Sequence, residues 1–573
     1  MSLMLHYSVH ISAPENHELQ VCLQFEAVSD VTVLRLPVWT PGSYMVREYS
    51  RYLSELRATV DGQPVQVTKV AKAEWRLATP PGAQVQVEWS AYCHELTVRT
   101  PHVDHSHAFF TGTNVLLFVD GRLHEPALLR VQPPADWQVF CSLPQEGQAW
   151  KARDYDELAD TPVECGPHRH IAFNVLDIPH RLIFWGDHAV RFDADRLVRD
   201  VTACILENAR LFGGLPYERY DVIFHITDDL RGGLEHLSST VLATPWRYFD
   251  TDNGWKEMIS LVMHEHFHVW NIKRIRPSGV FPFDYTRENF TTALWIAEGF
   301  TSYYDDYHCL KAGIWNLDDY LKLNSENLEK LLRTPGRLQH SISGASLDAW
   351  IRLYRPDENT PNRTISYYLK GGIVAWLLDL TIRARTQGER SLDDFMKWLW
   401  QQHCETSGPF DEHHTPELMR QALGVDLSDV LQKWVFGTDE PDYEAVLATH
   451  GILLSLSTDS GLDFGWEIDL RPSVRLRHTA TNGPAMQAGL APGDELVAID
   501  NRQLTAATAL TRFDRLLPDV PVTVHYFRRG VLCSTNLVPR PLVAPRVTLS
   551  LSPDIDEHTR MLRSRWYSPP ASP

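Results

Sequence analysis

The chain has 573 residues, 43% of them hydrophobic and 22% charged, with a formal net charge of −19. That length exceeds a single core and predicts three or four domains of ordinary globular composition. The negative charge argues against nucleic acid or an anionic membrane as partner, because both are polyanions, and no run of 18 apolar residues is present to span a bilayer.

The opening MSLMLHYSVHISAPENHELQ has no basic stretch followed by a long apolar one, so no secretory leader is expected. Eight cysteines are scattered without a C-x-x-C pair, which predicts reduced thiols and a cytoplasmic setting. Residues 1–170 alternate in short runs such as HYSVHIS, LQVCLQFEA and AQVQVEWSAY, the period-two signature of a β-rich N-terminal domain. Within it, WTPGSYMVREYSRYL (39–53) is dense in aromatic, proline and glycine residues. No chemistry follows from it, and packing of an irregular loop is the expectation.

From 171 to 445 the texture changes. ADRLVRDVTACILENARLFGG carries helical apolar spacing and stops at a glycine pair, and YDVIFHIT (220–227) reads as a strand. RGGLEHLSSTVLATP (231–245) follows: Gly232 and Gly233 let a backbone approach a ligand closely, and Glu235 presents a carboxylate on what reads as an edge strand. SLVMHEHFHVWNI, TTALWIAEGFTSYYDDYHCL, LDDYLKLNSENLEKLL, YYLKGGIVAWLLDLTIRA and LDDFMKWLWQQH are all predicted helices. A short β section followed by a helical bulk makes the whole a multidomain α+β protein. Strand patterning returns over 450–545, where NGPAMQAGLAPGDELVAIDNRQL (482–504) gives a small helix, a Pro-Gly-Asp turn, a strand and an Asp-Asn turn. Residues 546–573 are rich in Ser, Pro and Arg and are expected to form a loose tail.

The chemistry concentrates in LVMHEHFHVW. On a helix, residues four apart return to within about 40° of each other, so His264 and His268 reach a single ion from one face. His266 lies about 200° from His264, on the opposite side, and is expected to be structural. Glu265 stands off the ligand axis but within reach of a water at the metal. This is the H-E-x-x-H arrangement of two ligands and a general base. Catalytic zinc takes three protein ligands, and Glu298, 30 residues after His268 in the apolar helix WIAEGFTSYYDDY, is the candidate third. Two imidazoles, one carboxylate and one open position suit one Zn²⁺ ion. Three other histidine-rich stretches, PHVDHSH (101–107), PHRH (167–170) and DEHHTP (411–416), are expected to be solvated loops.

HEHFHVW followed by WIAEGFTSYY resembles the gluzincin peptidases, the group that includes thermolysin and the aminopeptidase N family. Together with the β-rich front, WTPGSYMVREY and the C-terminal unit, the chain most resembles the glycyl aminopeptidase family. The resemblance implies a thermolysin-like catalytic domain with a helical half and a C-terminal PDZ-like domain. RGGLEH is similar to the G-x-M-E-N exopeptidase motif, with His236 in place of its Asn, which implies that Glu235 holds the substrate's α-amine. YYLKGG is similar to the Y-E-K-G helix start, which implies that Tyr368, with Tyr367 its rival, stabilises the oxyanion. The implied activity is cleavage of the first bond of peptides with a free N-terminus, glycine or alanine first. A peptide or protein ligand is implied for the PDZ-like unit. The competing readings are a zinc endopeptidase or an epoxide hydrolase on the same scaffold, and a catalytically inert PDZ adaptor.

Overall fold

A computed structural model describes residues 4–458 and 461–568. In the strand Glu18–Glu26, Leu19, Val21, Leu23 and Phe25 are buried while the residues between them are not, so one face lies on a core. Strands of this kind form an eight-stranded, a five-stranded and a four-stranded sheet among the described residues, and they share one apolar core. The five-stranded sheet contains β1 (Thr100–Val103), β2 (Ala108–Thr111) and β3 (Pro162–Gly166), with β2 antiparallel to both of the others.

The second layer is a mixed sheet of β4 (Arg169–Val175), β5 (Ile178–Trp185), β6 (Tyr220–Thr227), β7 (Gly232–Glu235) and β8 (Ser239–Pro245), in the spatial order β4-β5-β6-β8-β7. Strands β5, β6 and β8 run parallel, and β8 is buried along its whole length, as parallel strands covered on both faces are. Strand β7 is antiparallel and forms the edge. Helix α1 (Ala194–Phe212) is the crossover between β5 and β6 and stops at Gly213 in the left-handed region. Apolar residues of both layers, Val98, Phe109 and Phe140 with Ile183, Ile223 and Val241, pack the N-terminal five-stranded sheet onto this one.

After β8, Thr251 caps α2 (Asp252–Phe267) by accepting the Gly254 N–H. A π-helical turn, Trp295–Phe300, leads into α3 (Thr301–Lys311), followed by α4 (Leu317–Leu332) and α5 (Leu369–Arg385). The turn and α5 cross in contact: a Cβ on Gly299 would lie 2.7 Å from the Gly371 Cα. This crossing brings Tyr368, one residue ahead of α5, beside the end of α2. The segment WTPGSY packs into the same helical core: Trp39 Nε1 donates to the Asp284 carbonyl at 2.8 Å, and Tyr44 lies edge-on to Trp350 and Tyr354. Among the described residues no helix is long and apolar enough to cross a membrane.

The C-terminal β region has its own core and contains the short helix Pro484–Gln487 and the strand Glu495–Ile499, joined to the next strand by a turn with positive φ at Asp500 and Asn501. The expectation of a loose tail over 546–573 needs correction. Strand β10 (Pro545–Leu551) pairs antiparallel with β9 (Ile452–Thr458) along its whole length, and α6 (Glu557–Trp566) follows. Val547, Leu549 and Trp566 are buried in the helical core of the middle region, the last beside Tyr307, Tyr320 and Trp376. Alternating apolar residues hidden in a polar composition account for the difference. Residues 569–573 of that stretch lie outside the described residues.

Candidate metal centre and substrate cleft

Helix α2 ends at Phe267, and His268 caps it with helical dihedrals (φ −60°, ψ −17°), so the one-turn spacing from His264 survives. The two Nε2 atoms stand 3.1 Å apart, and Glu298 Oε2 lies 3.2 Å from that of His268 and 3.7 Å from that of His264. Donors around one tetrahedral zinc at about 2.0–2.1 Å stand about 3.3 Å apart. The three residues therefore fit such an ion in number, type and spacing. Glu298 sits inside the π-helical turn, where one extra residue re-aims the side chain that a regular helix would point elsewhere.

The other ring nitrogens are fixed. His264 Nδ1 donates to Asp305 Oδ2 at 2.7 Å, and His268 Nδ1 donates to the Asn271 carbonyl at 2.6 Å, which leaves each Nε2 facing the centre as the nitrogen that could bind an ion. Asn271 also donates from Nδ2 to the carbonyls of Ile296 and Ala297, tying the end of α2 to the turn that carries Glu298. Sequence reasoning missed Asp305 and Asn271. Asp305 follows Glu298 by seven residues, two helical turns, and was findable on that ground.

Glu235, Glu265 and Tyr368 line the same cavity of about 340 Å³ as the three candidate ligands, together with Gly42, Arg99 and Gly233. Burial pushes the Glu265 carboxyl up to about 7, against the pull of His264 and His268. Burial would raise Glu298 too, but His268 and His264 hold it down at about 2. Gly233 packs so closely on Glu265 that a Cβ would fall 2.0 Å from Oε1, so only glycine lets β7 pass here. Gly232 has open space on that side, with Arg99 Nη1 3.8 Å from its missing Cβ. Glu235 is 3% exposed on the edge strand, and its Oε1 has no hydrogen-bond partner among the described residues. Gly42, at φ +90°, closes over it: a Cβ there would lie 2.4 Å from Glu235 Oε1. Beyond Arg231, Ser260, Asp305 and Tyr368 the cleft continues into a second cavity of about 420 Å³.

Of the two candidate tyrosines, Tyr368 lines the cavity, its ring 6.4 Å from that of His264 and its hydroxyl 3.3 Å from the Tyr354 hydroxyl. Tyr367 is fully buried and lines neither cavity. His266 turns away, into a chain in which Asn208 Nδ2 donates to its Nδ1 and its Nε2 donates to Tyr217, which donates to His180. His236 faces Asp160, the partner of Lys273, rather than the cleft.

The expectation of solvated histidines holds for His105 and His170, which are exposed, but fails for the other histidines of their two stretches. His107 and His168, from PHVDHSH and PHRH, donate at 2.9 and 2.7 Å to Glu164 Oε1 on β3, and His225 on β6 donates at 2.9 Å to Oε2. His102 donates to His107 at 2.8 Å, and all five residues are buried. The three N–H groups satisfy the carboxylate between the two packed sheets, with nitrogen–oxygen distances of direct hydrogen bonds. His413 and His414 of the third stretch are exposed.

The family model of the peptidase M61 N-terminal domain matches residues 6–167, and that of the M61 glycyl aminopeptidase matches residues 257–374. Among solved structures, the chain is similar to an aminopeptidase N family protein from Idiomarina loihiensis, with a TM-score of 0.92 at 28% identity over 99% of this chain and 100% of that one. It is also similar to an M1 zinc metallopeptidase from Deinococcus radiodurans, with a TM-score of 0.51 at 14% identity over 77% of this chain and 94% of that one, a likeness of fold alone. No curated protein matches the chain.

Proposed function

Since the chain belongs to the M61 glycyl aminopeptidase family, we propose that it is a zinc-dependent aminopeptidase that removes small first residues, glycine or alanine, from peptides with a free N-terminus. One observation carries the reading: three donors spaced for a tetrahedral ion share a cavity with a buried carboxylate that has an unpartnered oxygen. His264, His268 and Glu298 hold the zinc. When bound there, zinc supplies Lewis acidity and lowers the pKa of a water to about 7.

Glu265 accepts the proton of the attacking water and returns it to the departing amine, acting as general base and then general acid. Glu235 binds the α-ammonium by charge-assisted hydrogen bonds and so sets the first peptide bond, rather than an internal one, over the ligands. Gly233 lets the edge strand pack directly on Glu265, and Gly232, with open space beside it, continues the edge along which a peptide lies. Tyr368 donates its hydroxyl to the carbonyl oxygen as negative charge develops there. Gly42 packed on Glu235 leaves little depth behind the amine, which supports small first residues. We read the C-terminal unit as a PDZ-like accessory module, on the order of its helix, turn and strand.

Aminoacyl chromogenic substrates test the proposal, with and without chelator and beside the same substrates acetylated on the amine. Glycyl and alanyl substrates should turn over only with metal present, and acetylation should abolish turnover. Equal cleavage of acetylated substrates would make the protein an endopeptidase instead.

A further inference from the structure

Arg99 lies in the turn between the strand His94–Thr97 and β1, in the N-terminal sheets, yet its side chain lines the catalytic cavity. Its Nη2 donates to the Gly233 carbonyl at 3.0 Å, while its Nε is buried and has no hydrogen-bond partner among the described residues. Among the described residues no carboxylate forms an ion pair with it. Arg47, whose own guanidinium bonds Ser43 Oγ at 2.9 Å, lies close enough to add to the positive charge. The guanidinium is half-buried on the wall of the cavity, and although Glu235, Glu265 and Glu298 line the same space none of them is an ion-pair partner of it among the described residues, so its planar donor face remains available to a carboxylate that enters the cleft.

The position along β7 says which anion. Gly233 precedes Glu235 by two residues, about 6–7 Å of strand. An extended dipeptide spans about the same distance from its amine to its carboxylate. A zwitterion of that length, its ammonium on Glu235, carries its carboxylate to the guanidinium.

Resting on the aminopeptidase reading above, we propose that Arg99 is the binding site for the substrate's own C-terminal carboxylate, and that dipeptides are the favoured substrates. A longer peptide offers only a neutral carbonyl at that point and runs on toward the second cavity.

Glycyl-alanine and glycyl-alaninamide share amine and scissile bond and differ only in the carboxylate. The zinc-loaded wild-type protein should cleave the free acid with a kcat/KM at least about tenfold higher, the scale of one charge-assisted bidentate contact. That ratio should collapse toward one in Arg99→Met and survive in part in Arg99→Lys, with melting temperatures confirming that both variants fold. Calorimetry in a Glu265→Gln background should show the same preference in Kd without turnover. Equal rates for acid and amide in the wild type, or a preference that Arg99→Met leaves intact, would overturn the carboxylate site while leaving the aminopeptidase standing. Failure to cleave either compound would overturn both.

Discussion

Asp305 Oδ2 stands 2.7 Å from His264 Nδ1 and fixes which nitrogen of that ring faces the metal centre. The carboxylate also raises the basicity of the imidazole, the effect that outer partners have on metal-bound histidines. Asp305→Ala should therefore weaken zinc binding by about 10–100-fold. Competition against a chromophoric chelator reads this directly. An unchanged affinity would reduce Asp305 to a packing residue.

Tyr368→Phe removes a donor needed only as charge develops on the carbonyl oxygen. Its kcat should fall by about 10²–10³ while KM stays nearly constant, the pattern of a transition-state contact. Tyr354→Phe should cost less, because that hydroxyl reaches the centre only through Tyr368 at 3.3 Å. Tyr367→Phe should leave kcat within a few-fold, since Tyr367 lines neither cavity. A larger loss in Tyr367→Phe than in Tyr368→Phe would reverse the assignment.

Glu235→Gln keeps the shape of the side chain but removes the charge that pairs with the α-ammonium. Losing a partner of a buried, hydrogen-bonded charge costs about 2–5 kcal/mol, so kcat/KM for glycyl substrates should drop by at least about thirtyfold. Acetylated peptides should be poor substrates of both proteins. An undiminished rate for glycyl substrates would remove Glu235 from amine recognition.

The Glu164 cluster makes a prediction about stability. Glu164→Ala leaves three buried imidazole N–H groups without their acceptor, at about 1–3 kcal/mol each. Chemical denaturation should show a loss of at least about 3 kcal/mol. The sign of the pH effect follows from three depressed groups, His102, His225 and Glu164, and burial lowers His225 in the same direction as His102. Burial, with help from His107, lowers His102 from 6.5 to about 4, so the unfolded chain takes up its proton first and stability falls as pH drops from 6.5 toward 4. Burial would raise Glu164, but His107, His168 and His225 hold it well below 4.5. Its contribution is present above that value and is lost as pH falls below it. Melting temperatures should decline in two stages between pH 7 and pH 3, and Glu164→Gln should lack the second. A flat profile across that range would contradict this account of the cluster.

What could be read from the chain alone depended on how locally each feature is encoded. His264, Glu265 and His268 lie within five consecutive positions, and helical geometry alone separates the two candidate ligands from the candidate base. Glu298 was legible as a carboxylate stranded in an apolar helix, although the π turn that aims it depends on the crossing of Gly299 and Gly371 and leaves no local pattern. Glu164 gathers histidines from as far as 61 residues away through sheet pairing, so each partner looked like a polar loop residue by itself. The role of Gly42 was hidden for the same reason: nothing in WTPGSY tells that its glycine closes over Glu235 in another layer. At the far end, composition masked the period-two pattern of Val547, Leu549 and Leu551.

The most direct test is anomalous diffraction at the zinc edge from crystals of protein supplied with zinc. One ion per chain, bound by His264 Nε2, His268 Nε2 and Glu298 Oε2, is the predicted result. A Glu298 side chain turned away from the ion, or zinc found only at Glu164 and its histidines, would contradict the account.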